Sequence, residues 1–241
     1  MHPYHKLKKA FSTSTKPEAF VEFQKGSYSQ TGEDIIIDFI FGQLGILQPT
    51  FLDIGAHHPF FINNTFFFSK KGSYGVNIEP DPFLIKAFEE YRPLDKNLNV
   101  GVGYAKNIQE ADFYIMSSKT LNTFSKEEAE RYQGYGTYKI EDIFKVSLVP
   151  CNQIIDEYFG SKAPNFITID VEGFDFEILR SFNFDKFRPE VFCIETLTYT
   201  EDKTEKKLID IINYVCSKDY MVFADTYINT IFVEKSSWHK R

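Results

Sequence analysis

Apolar residues in this chain recur first at helical spacing and then in short runs separated by turns. Ile35, Ile36, Phe39, Ile40 and Leu44 form a core-facing stripe, with Thr31 placed as N-cap, Asp34 three residues on, and Gly45 to end the helix. The pattern then alternates. Phe51 to Gly55 reads as an apolar strand running into a turn, Asn64 to Lys71 as a helical segment closed by Gly72, and Tyr74 to Glu79 as a second strand. Pro82 to Tyr91 reads as a helix with proline in its first turn, Leu98 to Gly103 as a third strand, and Ala111 to Met116 as an edge hairpin. After a break the rhythm returns: a helix at Cys151 to Phe159, a strand at Phe166 to Asp170, a helix at Phe174 to Phe182 and a strand at Val191 to Glu195. Lys203 to Ser217 reads as an amphipathic helix, and two final strands, Tyr220 to Ala224 and Thr230 to Glu234, flank a short turn.

Alternating βα units with near-continuous apolar strands predict an α/β, doubly wound, Rossmann-like fold. Its sheet is mostly parallel with a C-terminal antiparallel hairpin. Residues 1–27 read as a polar N-terminal arm and 28–241 as one domain. Within that domain, residues 117–147 interrupt the rhythm with a Ser/Thr-rich loop, a charged helix and a Gly/Tyr loop; they read as a substrate-binding insertion over the active-site face.

Composition narrows this picture only in places. The 241 residues suffice for one large domain. Aromatics reach 17%, enough both to fill a core and to line a pocket. The net charge of −7 argues against a nucleic-acid partner. Cys151, Cys193 and Cys216 are scattered, which points to a reduced, cytoplasmic setting. The basic residues near the start precede no apolar segment of signal-peptide type, and no run is apolar enough to span a bilayer.

In an open parallel sheet, ligands sit at the carboxyl ends of strands where strand order reverses. The first such loop is Asp53-Ile54-Gly55-Ala56-His57-His58-Pro59, and the next strand ends in Glu79 with Asp81 beyond it. A carboxylate in that second position can take the ribose hydroxyls of an adenosine. A dinucleotide would also need a glycine-rich pyrophosphate cradle. This loop offers one glycine and then bulky residues and a proline, which lacks an N–H. S-adenosylmethionine has no phosphate and carries cationic groups that suit Asp53, so it is the favoured ligand. Asp170, ending a third buried strand, adds a further acid on the same sheet edge.

The block Asp170-Val-Glu172-Gly173-Phe-Asp-Phe-Glu177, followed by Arg188-Pro189-Glu190 and a strand ending in Glu195, resembles the FkbM family of methyltransferases. So do Phe51 to Pro59 with Asn64-Thr65, Asn77 to Pro82, and Tyr28 to Asp34. The resemblance implies a class I methyltransferase fold and O-methylation, commonly of a sugar hydroxyl in a glycan, nucleotide sugar or secondary metabolite. It also implies that Gln30, Asp53, Gly55, Asn64, Glu79 and Asp81 fall at cofactor-binding positions.

Deprotonation of an acceptor hydroxyl calls for a base within hydrogen-bond reach. His57 and His58 titrate near neutrality, and Asp170 with Glu172 sits beside the cofactor loop. Glu195, Asn122, Thr123 and Tyr132 are the acceptor candidates, with Tyr135 and Tyr138 beside them. Lys119, Lys126, Arg131 and Lys139 are candidates for the phosphates of a nucleotide sugar. The spacing demands no metal; Asp170, Glu172 and Glu195 are where Mg²⁺ or Mn²⁺ would find oxygen donors. The expected partners are a small-molecule or nucleotide-sugar substrate, with homo-oligomerisation left open. Competing readings are a nicotinamide-dependent oxidoreductase, a non-catalytic nucleotide-binding module and, disfavoured by charge, an RNA methyltransferase.

Overall fold

Strands buried on both faces take apolar side chains at every position, and the centre of the sheet does so here. The computed structural model describes residues 26–104, 108–201 and 204–241. In chain order the first elements are α1 (Glu33–Leu44), β1 (Phe51–Ile54), α2 (Phe66–Lys70), β2 (Gly75–Ile78), α3 (Leu84–Tyr91) and β3 (Lys96–Leu98). Then come β4 (Gly101–Gly103), β5 (Glu110–Met116), a 3₁₀ turn (Lys119–Leu121), α4 (Lys126–Gly134) and β6 (Ile140–Pro150). The chain continues through α5 (Cys151–Tyr158), β7 (Phe166–Ile169), α6 (Asp175–Ser181), β8 (Val191–Glu195), α7 (Ile209–Ser217), β9 (Tyr220–Asp225), β10 (Asn229–Glu234) and α8 (Lys235–His239).

The main sheet has seven strands in the order β3-β2-β1-β7-β8-β10-β9. Strands β3, β2, β1, β7 and β8 are mutually parallel, and β10 runs antiparallel to both β8 and β9. Chain progression goes outward from β1 through β2 to β3, then returns to β7 on the other side. The order therefore reverses between β1 and β7. Side chains alternate between two cores. Phe51, Phe166, Val191, Cys193 and Ile231 pack with Ile37, Ile40 and Phe41 of α1. Leu52, Ile54, Ile167, Ile169 and Phe192 pack on the opposite face with Ile154, Ile178 and Val215 from α5, α6 and α7.

Four local expectations change. Helix α1 starts one residue late because Gly32, at φ 96°, is its N-cap, and Thr31 donates its hydroxyl to Glu33 instead of capping. The strand expected over Leu98 to Gly103 divides. Asn99 donates to the carbonyls of Glu79 and Pro80 at 2.9 and 3.0 Å, which bends the chain between β3 and β4. Strand β4 then leaves for a second sheet, ordered β4-β6-β5. The stretch read as the end of the 117–147 insertion is the first part of β6, an 11-residue strand. Its exposed Glu141, Asp142 and Lys145 hide the strand pattern, and Val146 is its one buried side chain. The helix expected from Lys203 begins only at Ile209, because Leu208 N–H donates to the Thr196 carbonyl and Lys207 bridges Leu197.

The N-terminal arm lies outside the described residues except at its end, where Ser27 donates to Asp34 at 2.7 Å. Residues 202 and 203 also lie outside them. Among the described residues, no helix is long and apolar enough to cross a membrane.

Candidate active site

Strand order reverses where β1 meets β7, and the carboxyl ends of β1, β2, β7 and β8 surround a cavity of about 480 Å³ there. Loops placed by the sheet supply most of its wall. The 3₁₀ turn supplies the side opposite, through Lys119 to Asn122.

Gly55 adopts φ 81° after β1, and a Cβ built there would lie 1.8 Å from the Asp170 carbonyl oxygen. The close approach that demands glycine is therefore to the backbone at the end of β7. It draws the β1 loop against the β7 loop, so that Asp53 and Asp170 share one cavity. Asp53 is buried, and its Oδ2 accepts from Asn63 Nδ2 at 3.1 Å and Thr65 Oγ1 at 2.7 Å. Burial raises the Asp53 pKa, while Arg92, Thr65 and Asn63 pull it down. Asn64 donates to Thr168 Oγ1 at 3.1 Å and lines the cavity, as does Gln30.

Glu79, at the end of β2, is 4% exposed and accepts from His57 N–H at 2.7 Å and Asp81 N–H at 2.8 Å. Burial pushes its carboxyl up to about 8 despite those donors. Asp81 stands behind Glu79 and does not line the cavity. Its Oδ1 takes the Phe83 and Leu84 N–H groups ahead of α3, and its Oδ2 accepts from Asn122 Nδ2 at 3.1 Å. His57 lines the cavity, and burial lowers its pKa, which leaves a neutral imidazole. His58 is turned back into its own loop, where Nδ1 accepts from the N–H groups of Phe60 and Phe61.

The carboxylates of Asp170, Glu172 and Glu195 converge on the β7–β8 side. One ligand oxygen from each lies within 4.8 Å of the others, a set with the donors for a divalent cation. Burial comes first in raising all three; repulsion from Asp175 and Asp53 adds to it at Asp170, and repulsion from Asp170 adds to it at Glu172 and Glu195. Asp170 is pushed up to about 7 and hydrogen-bonds Glu195. Like charges this close share protons instead of ionising together. Glu172 holds φ 53°, a strained value for a side-chain-bearing residue. Thr123 Oγ1 donates to its carbonyl and Tyr132 OH to its Oε2, both at 2.8 Å. Asp175, pushed up to about 6 by burial, accepts the Val171 and Gly173 N–H groups and folds this turn.

Of the acceptor candidates, Asn122 and Glu195 line the cavity. Thr123 and Tyr132 are buried behind it as supports of Glu172. Tyr138 OH pairs with Tyr199 OH at 2.6 Å, and Tyr135 OH accepts from Arg131. The basic candidates are largely engaged: Lys119 with Glu141 and the Met116 carbonyl, Lys126 with Glu130, Arg131 with Glu128. The residue-by-residue reading missed Asn63, Thr65, Tyr199 and Tyr227. The run Phe60-Phe61-Ile62-Asn63-Asn64-Thr65-Phe66 is the signal for the first two, since three adjacent polar residues inside an aromatic stretch need buried partners.

Raised carboxyl pKa values also predict how stability depends on pH. A folded-state pKa above the ordinary one means that the folded state binds the proton more tightly. The associated stabilisation is full below about pH 4 and is lost as pH rises through the folded values. Asp175, Asp170 and Glu79 place the end of that loss between about 6 and about 8. The ligand-free protein is therefore expected to melt at progressively lower temperature from pH 5 to about pH 8 and to level off above it. A scanning-fluorimetry series at constant ionic strength checks this, and a melting temperature that climbs across the range contradicts it.

The chain matches one family profile and is similar to several solved structures. The sequence profile of the methyltransferase FkbM domain matches residues 53–222. No curated protein sequence matches the chain. Among solved structures, the chain is similar to a methyltransferase FkbM from Methylobacillus flagellatus KT at 17% identity and TM-score 0.45, covering 77% of this chain and 43% of that one. It thus spans less than half the length of that relative. A TehB-like SAM-dependent methyltransferase from Corynebacterium glutamicum is similar at 11% identity and TM-score 0.40, over 97% of this chain and 100% of that one. An O-methyltransferase from Bacillus cereus in complex with SAH is similar at 11% identity and TM-score 0.38, over 95% and 94%.

Proposed function

The chain belongs to the FkbM family of methyltransferases, and from that premise we propose that it transfers the methyl group of S-adenosylmethionine to a hydroxyl of a neutral sugar or glycan, as a cytoplasmic step in surface-polysaccharide assembly. The observation that carries the reading is the carboxylate set Asp170, Glu172 and Glu195, recessed in the same cavity as Asp53 and Glu79.

The cofactor end fits the residues present. Asp53 offers a carboxylate to a cation, Glu79 keeps free lone pairs toward ribose hydroxyls, and Gln30, Asn64 and Gly55 complete that wall. The β1 loop spends its His57 N–H on Glu79, which argues against a dinucleotide phosphate cradle. Held by these residues, S-adenosylmethionine would supply the methyl group, its sulfonium being the leaving group for attack by the acceptor oxygen. Asp170 receives the hydroxyl proton, and Glu195 holds the shared proton that keeps Asp170 poised near neutrality. His57 is the neighbouring alternative base. Fixing the two reactants in one cavity supplies a large part of the rate.

A neutral acceptor follows from charge. The cavity is rich in carboxylates, and Lys119, Lys126 and Arg131 of the insertion already face acids. Tyr199, Tyr227 and Asn122 offer flat faces and hydrogen bonds to a sugar ring. The test is mass spectrometry of neutral oligosaccharides and nucleotide sugars incubated with the full chain and S-adenosylmethionine, with and without chelator. Methylated neutral oligosaccharide, unaffected by chelator, is the expected product. Methylation confined to nucleotide sugars overturns the neutral-acceptor reading, and loss of product with chelator assigns the carboxylates to a metal.

A further inference from the structure

A buried cation sits under the cofactor loop, outside the machinery described so far. Arg92 follows α3 and is 2% exposed. Its Nε donates to Asp95 Oδ2 at 2.7 Å, and its guanidinium lies against the rings of Phe51 and Phe88. Nη1 donates to Thr65 Oγ1 at 2.9 Å, Asn63 Oδ1 at 3.2 Å and the Pro59 carbonyl at 3.5 Å. Nη2 is buried without a partner. Thr65 and Asn63 are also the two side chains that donate to Asp53.

Counting protons gives this bridge a direction. The Thr65 hydroxyl has one proton, and its oxygen accepts from Arg92. That proton can reach Asp53 Oδ2 at 2.7 Å or Asn63 Oδ1 at 3.0 Å. Asn63 Oδ1 already accepts from Arg92 and from the N–H groups of Thr65 and Phe66. The proton therefore points at Asp53. The same donors fix the Asn63 oxygen, which turns its Nδ2 toward Asp53.

We propose that Arg92 is a positioning residue for the cofactor, acting through Thr65 and Asn63 to hold Asp53 as a charged, oriented acceptor. This rests on the reading of Asp53 as a cofactor residue. Asp53 faces Arg92 and Asp95 from the end of α3, Glu79 from β2, Asp170 from β7 and the Cys193 thiol from β8. Burial and the acids favour its neutral form; Arg92 opposes them.

The experiment is calorimetric titration of the full chain with S-adenosylmethionine between pH 5 and pH 9, for the parent, Asp53→Asn, Arg92→Met and Thr65→Val. Arg92→Met is expected to move the pH at which affinity falls upward by about one unit or more, so that affinity drops up to about tenfold per pH unit below it. Thr65→Val, which keeps the buried ion pair and the side-chain shape, is expected to shift it in the same direction by less, and decides the matter if Arg92→Met does not fold. Arg92→Met in an Asp53→Asn background is expected to add little further loss. Parent-like pH profiles in Thr65→Val and Arg92→Met overturn the proposal, as does a pH-independent loss that adds in full to that of Asp53→Asn. An Asp53→Asn chain that binds like the parent overturns the cofactor assignment itself.

Discussion

Asp170→Asn is expected to lower kcat by about a thousandfold while the dissociation constant for S-adenosylhomocysteine stays within about threefold of the parent. Asp170 stands at the end of β7, on the cavity side of the reversal point, with a carboxyl pushed up to about 7 by burial and by its acidic neighbours. A base must be unprotonated to work. The parent is therefore expected to gain kcat/KM as pH rises through neutrality and then to level off, and Asp170→Asn to lose that rising limb. Asparagine keeps the size and polarity of the side chain, so the cofactor wall across the cavity is undisturbed. Turnover of Asp170→Asn near the parent rate, with the limb intact, transfers the role to His57.

Gly55→Ala is expected to destabilise the chain by about 3 kcal/mol, which for a domain of this size lowers the melting temperature by roughly 10 °C. Two costs combine: a positive φ unsuited to alanine, and a Cβ placed 1.8 Å from the Asp170 carbonyl oxygen. The backbone, not a flexible side chain, has to move. Gly173→Ala is the control. Gly173 also has positive φ, but a Cβ there would meet its nearest neighbour, Glu128 Cγ, at 3.4 Å, an ordinary contact. Its thermal melt should fall less. Equal losses in the two variants would mean that backbone conformation alone, and not the β1–β7 approach, makes Gly55 necessary.

The parts of the fold legible in the sequence are those where burial on both faces leaves a simple pattern. Phe51–Ile54, Phe166–Ile169 and Val191–Glu195 stand out as apolar runs, and three acids at strand ends mark the working edge of the sheet. Strand β6 escaped because half-exposed residues in a side sheet carry charges at positions a buried strand would fill with valine or isoleucine. The split between β3 and β4 depends on Asn99 reaching the Glu79 and Pro80 carbonyls, a pairing 19 and 20 residues apart that no local pattern records. For the same reason Asn122 could be read toward the site while Tyr132 could not be told from a lining residue. Its hydroxyl lies on Glu172, 40 positions away. The sequence shows Gly55 as a glycine in a loop but not the β7 backbone that its Cβ would strike.

The tie between α4 and the β7 loop also bears on how such enzymes diversify. The segment from β5 to β6 forms a small sheet with β4 and meets the carboxylate side of the cavity through side-chain bonds, which marks it as a unit that evolution could exchange to suit a new acceptor. Two of those bonds end on Glu172, from Thr123 and Tyr132. An exchange that lost them would release a strained residue within the carboxylate set. The segment that walls one side of the cavity is therefore also the one that braces Glu172, so a change in the first reaches the carboxylate set.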